Sequence, residues 1–299
     1  MQRRPEPISS PSTEKINYGT SIWGEAFKRL LRNKAAILGG IIFLCVVLVA
    51  VFADVIAPYG YEEQSLMEQY LPPFSPGHIF GTDNLGRDIF SRVVYGARLS
   101  LSVGVVSVAL ALAMGTIIGI ISGYCGGIID NILMRLMDIL LAIPAILLAI
   151  CISASLGTGL LNLMIAVGIS TVPTYARIAR ASVMVTKGED FIEAAKATGA
   201  GHFRLVVKYI APNIVAPLVV QATLGVAVAI LSTAALGFLG LGIQPPQSEW
   251  GTMLASTRNY MLSYPYLCIF PGLAIAVTIL SLNLLGDGLR DALDPKLKQ

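Results

Sequence analysis

The chain has 299 residues, of which 55% are hydrophobic and 13% charged, with a net charge of +3 and a mean hydropathy of +0.72. Soluble domains carry about twice that charged fraction, so the composition excludes an ordinary water-soluble domain and predicts several membrane-spanning segments. The four cysteines, Cys45, Cys125, Cys151 and Cys268, lie far apart without a CxxC pair, which supports neither a disulfide framework nor a metal site.

The N-terminal tail is polar and ends in a basic segment. Residues 1–20 are rich in Pro, Ser and Thr, which predicts a flexible tail. In the next stretch, SIWGEAFKRLLRNK, the apolar side chains of Trp23, Phe27 and Leu30 share one helical face, and the basic residues lie elsewhere. This pattern is typical of a helix that lies on a membrane surface, and equally of a basic flank before a spanning helix.

Six apolar segments are each long enough to cross a bilayer, which predicts an all-α membrane protein. The predicted spans are at about 36–57, 98–122, 138–156, 160–179, 213–237 and 265–286. The corresponding division is a tail at 1–35, a first transmembrane helix at 36–57, an external loop at 58–97, a core of five helices at 98–288 and a tail at 289–299.

The basic residues are distributed unequally between the two sides of these predicted spans. Of the 21 Lys and Arg residues, 17 fall in the two tails and in the loops after spans two and four, whereas 4 fall on the opposite side. Cationic loops remain in the cytoplasm. We therefore expect both termini to be cytoplasmic and the loop at 58–97 to be external.

The external loop contains FGTDNLGRDIF at 80–90, which is close to a phosphate-binding loop because four residues separate Gly81 from Gly86 and a basic residue, Arg87, follows. A phosphate loop needs Lys and then a hydroxyl, whereas Arg87 is followed by Asp88, whose charge repels phosphate. No buried strand precedes the motif, and nucleotide is scarce outside the cell. The sequence therefore argues against a nucleotide site.

The second predicted span contains Gly115, Gly119 and Gly123, a repeated G-x-x-x-G pattern. Glycine at this spacing leaves a flat face against which another helix packs closely, so we expect these three residues to form a helix-packing surface. Pro144, Pro173 and Pro271 interrupt spans three, four and six, which is compatible with kinked helices around a pathway and equally with plain structural kinks.

The centres of the predicted spans carry no ionisable residue, since Asp54, Asp138 and Arg177 lie near the ends. A proton- or ion-coupled carrier usually needs an ionisable group at the midplane. A membrane enzyme would need a nucleophile with its base, but the two histidines, His78 and His202, fall in loops on opposite sides. Both alternatives are therefore disfavoured, and energy for transport would have to come from another protein.

The loop between spans four and five can receive that energy. Glu189 and Asp190 would begin a short helix at 189–197, where the helix dipole favours anions, and Gly199 suits the left-handed position that ends it. A second short helix would carry Arg204, and Pro212 would start span five. A docking element and a simple solvated loop are both compatible with this pattern.

Part of this loop, EAAKATG at 193–199, resembles the EAA motif of bacterial ABC importer permeases, E-A-A-x-x-x-G-x9-I-x-L-P. The matching residues are Glu193, Ala194, Ala195, Gly199 and Pro212, and Tyr209 and Ala211 replace the usual Ile and Leu. In that family the loop forms the coupling helices that dock on a separate ATPase subunit. The resemblance therefore implies an ATPase-coupling role for the matching residues, and we include Arg204 with them.

Three further segments, at 80–104, 235–254 and 283–298, are similar to the C-type permeases of dipeptide and oligopeptide importers. Ser248 stands where that family often has Pro. The first segment includes a family signature formed by Gly81, Thr82, Asp83, Gly86, Arg87 and Asp88. The resemblance implies a type I ABC importer permease bundle with cytoplasmic coupling helices.

The same resemblance implies the partners. We expect a second permease subunit, cytoplasmic ATPase subunits and an extracytoplasmic solute-binding protein, in a bacterial cytoplasmic membrane and without nucleic acid. This chain would bind no cofactor and have no ATPase site, and ATP and Mg would be used by the partner subunits. Dipeptides or oligopeptides are the expected solutes. Nickel, glutathione or another small solute is the alternative, and no substrate-contacting residue is predicted.

Overall fold

The computed structural model describes residues 22–293, so the tail predicted at 1–20 and the last residues, 294–299, lie outside the described residues. All regular elements within 22–293 are helices, accompanied by two isolated bridges. The α-helices are α1 (Ile22–Leu30), α2 (Lys34–Val51), α3 (Ala53–Ile56), α4 (Ile89–Cys125), α5 (Gly127–Leu141), α6 (Ala145–Leu156), α7 (Leu160–Lys187), α8 (Asp190–Ala197), α9 (His202–Arg204), α10 (Ala211–Phe238), α11 (Trp250–Thr257) and α12 (Tyr266–Leu293). A π-helical segment at Leu205–Ile210 joins α9 to α10, and short 3-10 turns cover Leu66–Glu68 and Arg258–Tyr260.

Four continuous helices in the described chain are long and apolar enough to cross a membrane, at Lys34–Val51, Ile89–Cys125, His202–Phe238 and Tyr266–Leu293. The pair α5 and α6 is bent by 87° and makes a fifth if it counts as one span. The bend has a local cause, because Pro144 precedes α6 and proline disfavours a helical conformation in the residue before it. Pro173 and Pro271, in contrast, lie inside continuous helices.

The helix α7 runs parallel to α4 along most of its length. Ser107 Oγ donates to the Met164 carbonyl, Gly115 lies against Tyr175, and further along α4 Gly123 lies against Val183. Residues further along α4 therefore contact residues further along α7, so the two helices run in the same direction. Since α4 ends at one end of this pair and α7 begins towards the other, the chain at 126–159 has to return along the bundle.

The buried apolar side chains of the long helices form two clusters. One core lies mainly among α4, α7 and α10, and the second among α2, α4, α10, α11 and α12. Helix α10 is antiparallel to α4, because Gly104 contacts Ile230 while Val108 contacts Gly225. Arg98 joins α2 to the beginning of α4, since its Nε donates to the Ala50 carbonyl at 3.0 Å.

Side-chain caps fix where two of the spanning helices begin. The Asn33 side chain accepts hydrogen bonds from the Ala35 and Ala36 amides at the start of α2, and Asp88 accepts from the Ser91 amide at 2.7 Å at the start of α4. These acceptors satisfy amides that have no partner within the helix. The basic segment that precedes α2 is helical, as α1, and Leu30 packs near Gly288 of α12.

Candidate functional site

The short helix predicted at 189–197 is present as α8, and its two faces differ. Ile192 and Ala195 are buried against the bundle, whereas Glu193, Ala194 and Lys196 are exposed. Asp190 and Glu193 lie in its first turn, as the dipole favours. Of the predicted coupling residues on α8, Glu193 and Ala194 are therefore available to a partner, and Ala195 instead fixes the helix to the rest of the chain.

Gly199 ends α8 in the left-handed conformation that the sequence predicts, with φ of +81°. The Gly199 amide donates to the Lys196 carbonyl at 2.9 Å, and the Ala200 amide donates to the Ala195 carbonyl at 3.0 Å. This pair of hydrogen bonds is the Schellman arrangement, which satisfies carbonyls at the helix end and reverses the chain.

The second half of the loop differs from its prediction. Helix α10 begins at Ala211 with Pro212 in its first turn, as predicted, but α9 and the π-helical segment lead into it without a break, so residues 202–238 form one continuous helical rod. Proline has no amide to donate, and a regular α-helix would lose a hydrogen bond there. The π-helical segment accommodates this change, because the Ala211 amide donates to the Val206 carbonyl, five residues earlier. Arg204 and Pro212 are both exposed on this rod.

A cluster of side chains ties the loop to the ends of α4 and α7. The Tyr124 hydroxyl lies 2.7 Å from His202 Nδ1, and Lys187 Nζ donates to the Tyr124 carbonyl at 2.8 Å. The Lys187 ammonium also lies 5.6 Å from the centre of the Tyr124 ring. Sequence reasoning missed this cluster because Tyr124 and His202 are 78 residues apart, and no local pattern links them.

The solvent-facing side of the loop carries large apolar side chains beside its charged residues. Phe191, Phe203 and Val207 are 42%, 82% and 51% exposed. Exposed apolar groups rimmed by charge are typical of surfaces that bind another protein. We call this surface, formed by Phe191, Glu193, Phe203, Arg204 and Val207, the outer face of the loop.

The motif at 80–90 folds around a carboxylate. Asp83 Oδ1 accepts from the Leu85 and Arg87 amides at 2.9 and 3.0 Å, and Asp83 Oδ2 accepts from Arg87 Nε at 2.8 Å. A second buried guanidinium, Arg92, lies 3.8 Å from the same carboxylate and donates to the Tyr61 carbonyl. The amides that a phosphate loop would offer to nucleotide are therefore already occupied by Asp83.

The two glycines of the motif allow close contact with the preceding part of the same loop. Both have positive φ, +79° at Gly81 and +70° at Gly86. A Cβ on Gly81 would lie 2.3 Å from the Leu71 carbonyl oxygen, and one on Gly86 would lie 1.8 Å from the Ser65 carbonyl oxygen. A side chain is excluded at both positions for conformational and steric reasons.

Thr82 and Asp88 complete this folded unit. Thr82 Oγ1 donates to the Glu68 carbonyl and accepts from the Leu71 amide. Asp88, besides capping α4, lies 2.9 Å from the buried His78 Nδ1. The motif thus organises the loop and fixes the beginning of α4.

A second segment of the chain packs into the beginning of α4. The Trp250 ring is 2% exposed, lies against Gly96, and its Nε1 donates to the Val93 carbonyl at 3.0 Å. Ser248, which lies between predicted spans five and six, is 1% exposed, and its hydroxyl donates to the Arg92 carbonyl at 2.7 Å. Two of the segments that resemble the permease family are therefore in direct contact with each other.

Glu249 is a buried carboxyl group between α4 and the start of α11. It is 1% exposed and accepts hydrogen bonds from the Gly251 and Thr252 amides at 2.8 Å and from Ser100 Oγ at 3.3 Å. Burial raises the pKa of the Glu249 carboxyl, and these donors act in the opposite direction. The carboxylate caps α11 and links it to α4.

The three glycines of α4 lie against α7 in register. A Cβ on Gly115 would lie 2.5 Å from Tyr175 Cβ, and one on Gly119 would lie 2.5 Å from both the Ala176 oxygen and Ala179 Cβ. Gly123 is similarly close to Val183. The predicted packing surface is therefore real, and the structure identifies α7 as its partner.

Comparison with known families settles the class of protein to which this arrangement belongs. Residues 115–299 match the family model described as "Binding-protein-dependent transport system inner membrane component". The chain belongs to this permease family. Residues 21–73 also match the "N-terminal TM domain of oligopeptide transport permease C".

Similar proteins cover almost the whole permease. It is 49% identical to the dipeptide transport system permease protein DppC of Alkalihalophilus pseudofirmus, over 98% of this chain and 96% of that protein. It is 48% identical to the di/tripeptide transport system permease protein DppC of Pseudomonas aeruginosa, over 98% and 97%. A glutathione transport system permease protein, GsiD of Escherichia coli, is 43% identical over 99% and 98%.

A solved structure supports the fold alone. The permease superposes on a chain of the inward-facing MetNI methionine ABC transporter with a TM-score of 0.56 and 19% identity, covering 68% of this chain and 97% of that one. The resemblance stated from the sequence motifs is thus confirmed, and the chain is a permease component of the ABC importer class.

Proposed function

We propose that this permease is one of two membrane subunits of an ATP-driven importer of short peptides. The observation that carries the proposal is the similarity over nearly the whole chain to dipeptide and di/tripeptide permeases, at 48–49% identity. Glutathione is the second candidate solute, because permeases for it are 42–45% identical over most of this chain. In either case a second permease subunit forms the other half of the pathway.

We further propose that the outer face of the loop docks on a cytoplasmic ATPase subunit. Glu193, Ala194, Gly199, Arg204 and Pro212 match or adjoin the EAA motif, and the exposed apolar side chains beside them favour a protein partner. Ala195 supports the same surface from its buried side. ATP binding would close the ATPase subunits, displace the docked loops and rotate the helices between inward and outward states.

ATP and Mg are used by the partner subunits in this proposal, and the permease itself binds no cofactor and no nucleic acid. The lack of a nucleotide site in the motif at 80–90 is supported by the hydrogen bonds from the Leu85 and Arg87 amides to Asp83, because a nucleotide phosphate would have to displace this buried carboxylate. An extracytoplasmic solute-binding protein delivers the solute, as the family description implies.

The proposed topology has six spans, with both termini in the cytoplasm of a bacterium. The parallel course of α4 and α7 supports it, because the bent pair α5 and α6 then has to cross the membrane between them. Helix α7 has 28 residues, about 42 Å, which is enough to cross. The excess of Lys and Arg at one side supports the orientation, and the division of the chain at 1–35, 36–57, 58–97, 98–288 and 289–299 follows.

The function is tested by reconstitution in lipid vesicles with the partner permease, the ATPase subunits and the binding protein. We expect ATP-dependent uptake of dipeptides, and no ATP hydrolysis by the permease alone. Uptake should also persist when a proton-gradient uncoupler is added. Dipeptide uptake that stops with the uncoupler, or ATP hydrolysis by the isolated permease, would contradict the proposal.

The topology is tested by cysteine labelling in intact cells with an impermeant thiol reagent. Met67, which is 96% exposed, is expected to be labelled as Met67→Cys. Gly201→Cys should be protected until the cells are opened, although Gly201 is exposed and has room for a side chain. The background variant lacks Cys45, Cys125, Cys151 and Cys268. Labelling of Gly201→Cys but not of Met67→Cys in intact cells would reverse the orientation.

A further inference from the structure

A polar groove lies between α5 and α7, outside the sites described above. Its lining residues are Asp130, Asn131, Met134, Arg135, Asp138, Arg177 and Arg180, and its volume is about 780 Å³. Five of these seven side chains are ionisable. Only 13% of the residues in the chain are charged, so the groove is much richer in charge than the chain as a whole.

The groove lies towards the end of α7 that leads into the loop, and on one face of α5. Arg177 lies about 26 Å and Arg180 about 30 Å along α7 from Leu160. If α7 enters the bilayer near Leu160, both arginines lie at the far edge of a hydrocarbon layer about 30 Å thick. Charged side chains at this depth face protein or a water-filled cavity. The opposite side of α5 is apolar instead, with Ile129 and Leu136 about half exposed, so the lipid-compatible face and the polar face are distinct.

The charges in the groove form two ion pairs and one additional cation. Arg180 Nε and Nη2 donate to the two Asp130 oxygens at 2.6 Å, and this pair is largely covered. Arg177 Nη2 donates to Asp138 Oδ1 at 2.6 Å, but these side chains remain 54% and 46% exposed. The fifth ionisable residue of the groove is Arg135, which is exposed and has no ion-pair partner within residues 22–293.

We propose that this groove is a solute-contacting part of the translocation pathway and takes short peptides that carry a free carboxylate and a free ammonium group. The inference rests on the proposed function as an importer of peptides. Arg135 and Arg177 would receive the peptide carboxylate, and Asp138 would receive the ammonium group.

Three properties of the groove support this ligand class. Its volume falls in the range of about 300–1,000 Å³ that is usual for small-ligand sites. Arginine forms paired hydrogen bonds with a carboxylate. Exposed ion pairs are weak, so the Arg177–Asp138 pair can exchange partners with a zwitterion at little cost, whereas the bidentate Asp130–Arg180 pair holds α5 against α7.

The first test is solute-independent and measures whether the groove is wet in the assembled transporter. In the cysteine-free background, Asn131→Cys lines the groove and Ile129→Cys is its matched control on the opposite side of α5. We expect a charged thiol reagent to modify Asn131→Cys on the order of tenfold faster than Ile129→Cys, because the reactive thiolate forms in water. Equal or reversed rates would overturn the proposal, and this result does not depend on which solute is carried.

The second test measures charge selectivity during transport. Arg135→Gln removes one positive charge from the groove, and Arg290→Gln removes one from an exposed position on α12 that does not line it. For uptake through the assembled transporter, we expect the ratio of an acidic dipeptide to a basic dipeptide to fall about fivefold in Arg135→Gln and to stay unchanged in Arg290→Gln. The ratio is internal to each variant, so differences in expression cancel.

An unchanged ratio in Arg135→Gln, with wild-type uptake of both dipeptides, would overturn the assignment of the groove. Failure of the wild-type transporter to take up any dipeptide would instead refute the peptide-importer function, and with it the proposed ligand class. If the groove is wet but the wild-type transporter takes up no dipeptide, the groove is a pathway for a different solute. Failure of the groove assignment and failure of the peptide-importer function are therefore distinguishable.

Discussion

Replacement of Gly119 by leucine is expected to prevent stable packing of the permease, because no space exists at this position. A Cβ alone would lie 2.5 Å from the Ala176 carbonyl oxygen and 2.8 Å from the Arg180 amide nitrogen, and both are backbone atoms that cannot rotate away. Overpacking commonly costs about 1–3 kcal/mol. We expect a cost of about 3 kcal/mol or more here, since α4 and α7 have to separate along their whole contact.

The measurement is the amount of full-length permease in the membrane and its thermal melting in detergent. Gly272→Leu is the matched control, because Gly272 also lies in a long apolar helix but has no atom within 4 Å of a Cβ position. We expect the control to accumulate normally and Gly119→Leu to be scarce or to melt at a much lower temperature. Similar accumulation and melting of the two variants would contradict the close α4–α7 packing.

Gly199→Val is expected to leave the permease folded but to abolish most of its transport. With φ of +81°, a residue that has a side chain pays about 1–2 kcal/mol for the left-handed conformation, and β-branching puts valine at the upper end. No neighbouring atom lies within 4 Å of the Cβ position, so the effect is conformational rather than steric. This cost is comparable to the few kcal/mol that separate conformational states.

The readouts are dipeptide uptake and the ATPase activity that loaded binding protein stimulates in the assembled transporter. Gly201→Val is the control, because Gly201 is two residues away, has φ of −69° and is equally unobstructed. Gly199→Asn should recover part of the activity, since asparagine tolerates the left-handed conformation better than valine. Full uptake by a well-expressed Gly199→Val variant would show that this turn does not position the coupling surface.

The features that were predictable from the sequence depend on local rules. The charge in the first turn of α8 and the glycine after it predicted both ends of this helix, and the helix at Asp190–Ala197 confirms the prediction to within one residue. The spacing of Gly115, Gly119 and Gly123 likewise predicted a packing surface, because periodicity alone defines one face of a helix. The partner helix could not be predicted, since it follows from tertiary structure.

The features that were missed depend on residues far apart in the chain. Ser248 is buried against the beginning of α4 and donates a hydrogen bond to the carbonyl of residue 92. The role of Gly86 likewise depends on the close approach of Ser65. The angle of 87° between α5 and α6 was also not predicted, because a proline indicates where a helix is interrupted but not the angle at which the next helix continues. The groove was not predicted because Asp138 and Arg177 are 39 residues apart and were each interpreted as flanks of separate spans.

The helix at His202–Phe238 connects the loop directly to the opposite end of the bundle. Its 37 residues are about 55 Å long, and its beginning carries the proposed docking surface. If loop and span tilt as one rigid body, a tilt of about 10° around the midpoint displaces each end by about 5 Å. Gly237, near the far end, touches Glu249 and Gly251. A displacement of the proposed docking surface would therefore reach the segment around Trp250, at the other end of the helix, through the helix backbone itself.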